Sequence, residues 1–234
     1  QLAHAGRKGS CERPWDRGGA QIAPDQPNGW QTVAPSAEPY AADENPPEAL
    51  DRAGLDRIRD AFAEAARRAV RLGIDVIQIH AAHGYLLHEF MSAEFNQRSD
   101  QWGGTFLERL RMPLAVIAAV RAAVGEEFVV GMRLSQSMVC DGRLKWEGGE
   151  EQARQRFRVL ADAGLDYLHI TEPDARAPAF GEGPSLAAIA RGSVAIPVIG
   201  NGLTEWIMGD YLPSDATLNR FFALHVIALP IVIL

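Results

Sequence analysis

Hydrophobic residues recur along the chain in two alternating patterns, one of helical period and one of short apolar runs. Over residues 50–72, Leu55, Ile58 and Phe62 are spaced as on the buried face of an amphipathic helix, and Gly73 follows as a stop signal. The same period predicts further helices over residues 106–124, 152–163 and 185–191. Short apolar runs predict strands over residues 75–79, 128–134, 166–170 and 196–199.

The order of these elements predicts the fold class. Four strands alternate with helices through short connections, which favours an α/β fold with a parallel sheet. Both a (β/α)8 barrel and a Rossmann sheet show this alternation, but no strand here is followed by a GxGxxG sequence, so the barrel is favoured. Residues 8–48 lack a helical period and predict a long irregular excursion. With 234 residues, the chain is near the lower limit for a complete barrel.

Two histidines and a tyrosine follow the strand predicted at residues 75–79. His80, His83 and Tyr85 come where that strand is expected to end, and the carboxyl ends of barrel strands carry the active site. Two neutral imidazoles can donate N–H groups to one oxygen, and a phenol can deliver a proton. This set suits polarisation of a carbonyl group followed by protonation.

Two other interpretations of the histidine pair stay open at this point. A histidine at a strand end is often only a satisfied polar residue, although two of them followed by a tyrosine favour a functional role. The pair could also bind a metal with His88 or Glu89, but a catalytic zinc site requires a third protein ligand and an open position. We expect no metal.

Composition excludes some classes of function. The net charge of −7 and the absence of a Lys/Arg run disfavour nucleic-acid binding. Cys11 and Cys140 are far apart and form neither a CxxC motif nor a disulfide framework, which predicts a reducing compartment. No N-terminal signal is visible, so we expect a cytoplasmic protein.

Five separated segments resemble the Old Yellow Enzyme family of FMN-dependent ene-reductases over about residues 1–202. They are, in chain order, QLAHAGR at 1–7, GWQTVAPS at 29–36, HAAHGYL at 80–86, NQRSDQWGG at 96–104 and GMRLS at 131–135. The resemblance implies an incomplete (β/α)8 TIM barrel that runs from the end of the third strand to the seventh, with residues 8–48 capping the barrel mouth.

The resemblance also implies roles for individual residues. Gln1 would pair with the pyrimidine edge of FMN, Arg133 would lie by the flavin, and Gly202 would belong to the loop that binds the FMN phosphate. His80 and His83 would bind the carbonyl oxygen of the substrate, and Tyr85 would be the proton donor.

The implied reaction is the reduction of activated C=C bonds of α,β-unsaturated carbonyl compounds. The small-molecule substrate would be reduced with NADPH or NADH in a ping-pong hydride transfer, by an enzyme that forms homo-oligomers. The chain departs from the family pattern at Leu203, which replaces a second glycine, at Leu107, which replaces an acid, and in lacking the later Gly-Arg phosphate motif.

Residues 203–234 resemble a fragment of cytochrome b, in which His225 would match a haem ligand. The apolar run Phe221–Leu234 has 14 residues, fewer than the roughly 20 that span a bilayer. Two alternatives to the reductase therefore remain: an inactive truncated or chimeric fragment, and a membrane electron-transfer fragment. Contact with a membrane is expected only if this tail is functional.

Overall fold

The computed structural model describes residues 1–13 and 15–200, and the fold is given for those residues. Its strands are β1 (Val33–Ala34), β2 (Glu48–Ala49), β3 (Val76–His83), β4 (Val129–Met138), β5 (Tyr167–Ile170) and β6 (Val198–Gly200). Its α-helices are α1 (Arg52–Arg71), α2 (Leu86–Met91), α3 (Phe106–Arg109), α4 (Arg111–Val124), α5 (Gly149–Ala161) and α6 (Leu186–Arg191). Two short 3-10 helices lie at Gly6–Lys8 and Arg17–Gly19.

The main sheet has four parallel strands in the order β3-β4-β5-β6. Beyond β3, Leu2 forms a parallel bridge with Ile79: its N–H donates to the carbonyl of Gln78, and the N–H of His80 donates to its carbonyl, both at 2.8 Å. Leu2 therefore lies beside β3, where the sequence predicts the end of the third barrel strand. Within the described residues the sheet is part of a (β/α)8 barrel and does not close.

The two faces of the sheet differ in chemistry because side chains alternate along each strand. On one face Ile79, Val130, Met132 and Leu168 are fully buried and pack with the helices in one core. The other face, the inner face of the partial barrel, carries polar side chains. These are Gln78 and His80 of β3, Arg133 of β4, and Tyr167 and His169 of β5.

The inner face is open at the amino ends of its strands. Val76 and Val129 lie opposite each other there and are 46% and 39% exposed. Ile199 of β6, which pairs with His169, is also exposed. Apolar side chains that a closed barrel would bury thus face solvent in the described part of the chain.

Every helix and strand expected from the sequence is present, although several bounds differ from those expected and further short elements occur. The strand predicted at residues 75–79 continues to His83, because its pairing with β4 runs on past Ala81 and a bulge to Met138, so His80 lies inside the strand rather than at its end. The helix predicted at residues 106–124 is divided into α3 and α4 at Leu110. The short helix α2 was not predicted.

The capping excursion is held to the barrel by two arginines, the buried Arg7 and the partly buried Arg98. Arg98 donates through Nη1 to the carbonyls of Pro35 and Leu50 at 3.0 and 2.6 Å, and Arg7 donates to the carbonyl of Pro39 at 3.0 Å. Next to the anchors at Pro35 and Leu50, β1 and β2 form a two-stranded parallel pair. Among the residues described, we find no helix with the length and apolar character needed to cross a bilayer.

Candidate active site

Three rings meet where β3 turns into α2. The ring centroids of His80 and His83 are 5.3 Å apart, and those of His80 and Tyr85 are 4.9 Å apart, both in edge-on contact. His80 lies within β3, His83 is its last residue and Tyr85 caps α2. The structure therefore brings together the three residues that the sequence predicts to be catalytic.

A left-handed turn produces this convergence. His83 has φ +62° and Gly84 has φ +82°, so the backbone reverses between His80 and Tyr85. The left-handed region is unfavourable for a residue with a Cβ atom by about 1–3 kcal/mol, and such strain persists only where the surroundings fix it. At Gly84 a Cβ atom would lie 3.1 Å from the Cβ of Met138, which favours glycine there.

Hydrogen bonds from three directions hold the turn. The N–H of His83 donates to Ser135 Oγ at 2.9 Å, and that hydroxyl donates to the carbonyl of Ser137 at 2.7 Å. The N–H of Gly84 donates to His88 Nδ1 at 3.1 Å, and the carbonyl of His83 accepts from Val139. Ser135 and His88, which are fully buried, thus position the catalytic candidates. Sequence reasoning missed Ser135 and considered His88 only as a possible metal ligand.

Both candidate histidines, His80 and His83, are neutral near pH 7. Burial, with further contributions from His83 and Arg133, lowers the pKa of His80 to about 3. Burial and then Arg133 lower the pKa of His83 to about 4. Because His80 Nδ1 accepts from the N–H of Ala82 at 3.2 Å, the proton of its neutral ring is on Nε2. His80 can therefore act as a fixed neutral hydrogen-bond donor.

Arg133 lies beside the ring cluster on the inner face, opposite His80 in the register of β3 and β4. Its Nη2 donates to Thr171 Oγ1 at 3.3 Å. His169 of β5 pairs with Arg133 in register, and burial followed by the charge of Arg133 lowers the pKa of His169 to about 4. His169 was not predicted, although the alternation of polar and apolar residues from Tyr167 to Ile170 could have indicated it.

A row of amide and aromatic groups lies next to Arg133. Gln1 Nε2 donates to Gln78 Oε1 at 2.5 Å, and Gln78 Nε2 lies 3.3 Å from Tyr167 Oη and 3.2 Å from His169 Nδ1. The buried Nε2 atom of His169 has no hydrogen-bond partner among the residues that the structure describes. Gln1 is therefore on the same polar face as Arg133, and Gln78, which the sequence did not single out, lies between it and His169.

The remaining candidates are placed elsewhere. Gly202 and His225 lie outside the described residues. His88 is bound to the turn, and Glu89 accepts from the N–H of Arg7 at 3.1 Å; burial raises the pKa of Glu89 to about 8 although Arg7 opposes the shift. In the described part of the chain no group of three or more metal-ligating side chains is close enough to hold an ion.

Comparison with known proteins identifies the family. Residues 1–203 match the model of the NADH:flavin oxidoreductase / NADH oxidase family. The chain belongs to this family. An NADH:flavin oxidoreductase of Gibberella zeae is 39% identical over 180 residues, and a chanoclavine-I aldehyde reductase of Penicillium roqueforti is 34% identical over 170 residues. Each match covers 73% of this chain.

Solved structures of the family share the fold. Morphinone reductase superposes with a TM-score of 0.64 at 29% identity, over 84% of this chain and 54% of its own. An Old Yellow Enzyme homologue from Zymomonas mobilis gives a TM-score of 0.62 at 29% identity, over 74% and 51% of the two chains. The chain thus spans about half the length of these structures, and its matches cover 43% and 42% of the two fungal relatives.

A second family model overlaps the end of the first. Residues 185–234 match the N-terminal cytochrome b/b6/petB model, so 185–203 are shared between the two matches. The resemblance of the tail to cytochrome b is thereby confirmed. Within this match, the described residues form α6 and β6. Strand β6 pairs with β5 in the main sheet, and α6 packs in the same hydrophobic core.

Ser135→Ala tests the support of the turn. Removing the hydroxyl leaves the buried N–H of His83 without an acceptor, and such a group lowers the free energy of unfolding by about 1–3 kcal/mol. Urea denaturation measures this loss of free energy of unfolding. The matched control is Ser99→Ala at an exposed site, where the free energy of unfolding should change by no more than about 0.5 kcal/mol. Equal stability of the two variants would show that Ser135 does not hold the turn.

Histidine NMR tests the protonation states. In the native chain, whose His80 and His83 have pKa values of about 3 and about 4, both rings should stay neutral from pH 8 down to about pH 5. In the urea-unfolded chain the same histidines should titrate with a pKa near 6.5. The native pKa values are lowered, so the unfolded state takes up protons first and stability falls as pH decreases below 6.5. His80→Gln and His83→Gln assign the signals; native titration near 6.5 would contradict the prediction.

Proposed function

We propose that this chain carries the reducing site of an ene-reductase, acting on activated C=C bonds of α,β-unsaturated carbonyl compounds by a ping-pong mechanism. The reductant would be NADPH or NADH, and the cofactor FMN. The observation that carries the proposal is the contact of His80 with both His83 and Tyr85 beside the cation of Arg133. A structure of morphinone reductase in complex with tetrahydroNAD, 30% identical with a TM-score of 0.62, supports a nicotinamide reductant.

The residues of the inner face fit a flavin. When bound, FMN would accept a hydride from the nicotinamide and supply it to the alkene. Gln1 would offer an amide donor and acceptor to the pyrimidine edge, and its hydrogen bond to Gln78 orients that amide. Arg133 would stabilise the negative charge of the reduced ring system. The unpartnered Nε2 of His169 is a further polar group on this face. Gly202 is the proposed phosphate-loop residue.

His80 and His83 would bind the carbonyl oxygen of the substrate. Nε2 of His80 carries the ring proton, so it can donate to that oxygen without first changing its tautomer. Two neutral donors withdraw electron density from the C=C bond as negative charge develops on the oxygen. Because burial keeps both rings neutral, they would polarise the carbonyl group as hydrogen-bond donors.

Tyr85 would complete the reduction. A hydride added at the carbon β to the carbonyl leaves an electron pair at the α carbon, and the Tyr85 hydroxyl would donate a proton there, with water restoring that proton. The left-handed turn and the start of α2 fix the phenol against the ring of His80. Tyr85 and the histidines could thus contact adjacent parts of one small substrate.

Flavin binding separates this proposal from its alternatives. We expect the purified chain titrated with FMN to quench flavin fluorescence, and Arg133→Met to weaken binding at least about 10-fold, the effect of losing about 1.4 kcal/mol. The control is Arg143→Met, whose side chain is 94% exposed. Absence of binding by the unaltered chain would favour the inactive fragment, and a Soret band in its spectrum would favour the cytochrome fragment.

Tyr85→Phe tests the proton donor. The FMN-loaded variant should be reduced by NADH or NADPH at a rate within about twofold of the unaltered chain, because the phenol has no role in that half-reaction. Reoxidation by 2-cyclohexenone should slow by about 10²–10⁴-fold, the usual contribution of general acid catalysis. Stopped-flow absorbance separates the two half-reactions. Equal reoxidation rates in the variant and the unaltered chain would exclude Tyr85 as the donor.

A further inference from the structure

A cavity with none of the inner-face side chains in its lining lies beside α2, the end of β4 and α5. It has a volume of about 230 Å³ and is enclosed by α2, the connection that follows β4, and α5. Its polar lining includes His88, Gln136, Lys145, Trp146 and Arg156. Apart from His88, which holds the turn through its other face, none of these residues has a part in the proposed reduction.

Arg156 is the unusual member of this lining. Its side chain is 1% exposed, and its guanidinium stacks on Trp146, 4.0 Å from the ring centroid, with Phe106 at 5.3 Å. Its Nε and Nη1 atoms have no hydrogen-bond partner among residues 1–13 and 15–200. The aromatic rings pack against the faces of the guanidinium group, so they provide no hydrogen-bond acceptor for the N–H groups at its edge. A buried cation of this kind is unfavourable unless a partner is supplied.

The other polar groups around the cavity are mainly donors. Nε1 of Trp146 and Nε2 of Gln136 are buried and lack hydrogen-bond partners within the described part of the chain. The neutral ring of His88 accepts through Nδ1, which places its proton on Nε2. Lys145 Nζ lies 3.4 Å from Gln136 Oε1, so the oxygen of this amide is used by Lys145 and its N–H₂ group is not. The lining therefore offers several N–H groups to a ligand that accepts hydrogen bonds.

The charges of the lining are not balanced. Its two carboxylates are Glu147, which forms an ion pair with Arg109, and Glu94, which is exposed. Lys145 also interacts with the buried carboxylate of Glu172, so Arg156 is the positive charge of the lining that remains to be balanced. Burial, and then repulsion from Arg109, lowers the pKa of Arg156 to about 9, so the group is still cationic at pH 7. The missing partner thus has to be both an acceptor and an anion.

We propose that this cavity binds a small oxyanion, a carboxylate or phosphate group, with Arg156 as its principal ligand and Gln136 and Trp146 as further donors. Oxyanions accept charge-assisted hydrogen bonds from guanidinium groups, which are about twice as strong as neutral ones. The volume admits inorganic phosphate or a short carboxylate but no nucleotide. The site is separate from the reduction chemistry, so its test does not depend on activity.

Urea denaturation of the full chain tests this site. Sodium phosphate and sodium acetate are each compared with sodium chloride at equal ionic strength. At an anion concentration 100 times its Kd, the ratio of folded to unfolded chain should rise about 100-fold. Arg156→Met, which keeps the length of the side chain but not its charge, should show less than a twofold change. Arg143→Met, at an exposed site, should respond like the unaltered chain.

The outcomes are distinguishable even if Arg156→Met does not fold. Gln136→Leu removes one donor and leaves the cation, so it should reduce the anion effect about 10-fold, the loss of roughly 1.4 kcal/mol expected for a hydrogen bond to a charged group. A response to phosphate alone or to acetate alone identifies the preferred anion. No response of the unaltered chain to either anion, or equal responses in the unaltered chain, Arg156→Met and Gln136→Leu, would overturn the proposal.

Discussion

The left-handed turn at His83 and Gly84 is the constraint on which the site depends. It ends β3 and begins α2 within three residues, and so places Tyr85 against His80, which lies five positions earlier in the chain. If β3 continued as an extended strand instead of turning, the side chains of His80 and Tyr85 would lie far apart. The turn is unfavourable by itself, and it persists because buried groups of β4 and α2 accept its N–H groups. The geometry of the catalytic candidates is therefore set by neighbouring elements more than by β3 itself.

The positive charge of Arg133 lies between two neutral histidines on the inner face. Arg133 lies in register with His80 on one side and His169 on the other, and its charge adds to burial in lowering the pKa of both. One cation surrounded by neutral imidazoles gives a face of positive potential that still contains uncharged donors. That combination suits a ligand that gains negative charge during reaction, as a reduced flavin or a developing enolate does.

Sequence patterns predicted most of the fold because the barrel units repeat clear signals. The spacing of apolar residues, the glycines after helices and the polar residues after strands can be recognised in the sequence itself. These local signals predicted α1, α5 and the four main strands. The full length of β3 was missed because it depends on pairing with β4, which is a tertiary interaction. Ser135 and Gln78 were missed for the same reason, since their roles exist only through contacts with distant residues, and His88 was considered only as a possible metal ligand.

His88 links the turn to the cavity around Arg156, which raises the question of whether an anion there could alter the catalytic rings. The turn requires Nδ1 of His88 to remain an unprotonated acceptor. Burial is the largest influence that lowers the pKa of His88, and the charge of Arg156 is the second. An anion beside Arg156 would offset only the second influence, so His88 would stay neutral. The two sites can therefore share this residue and still function independently.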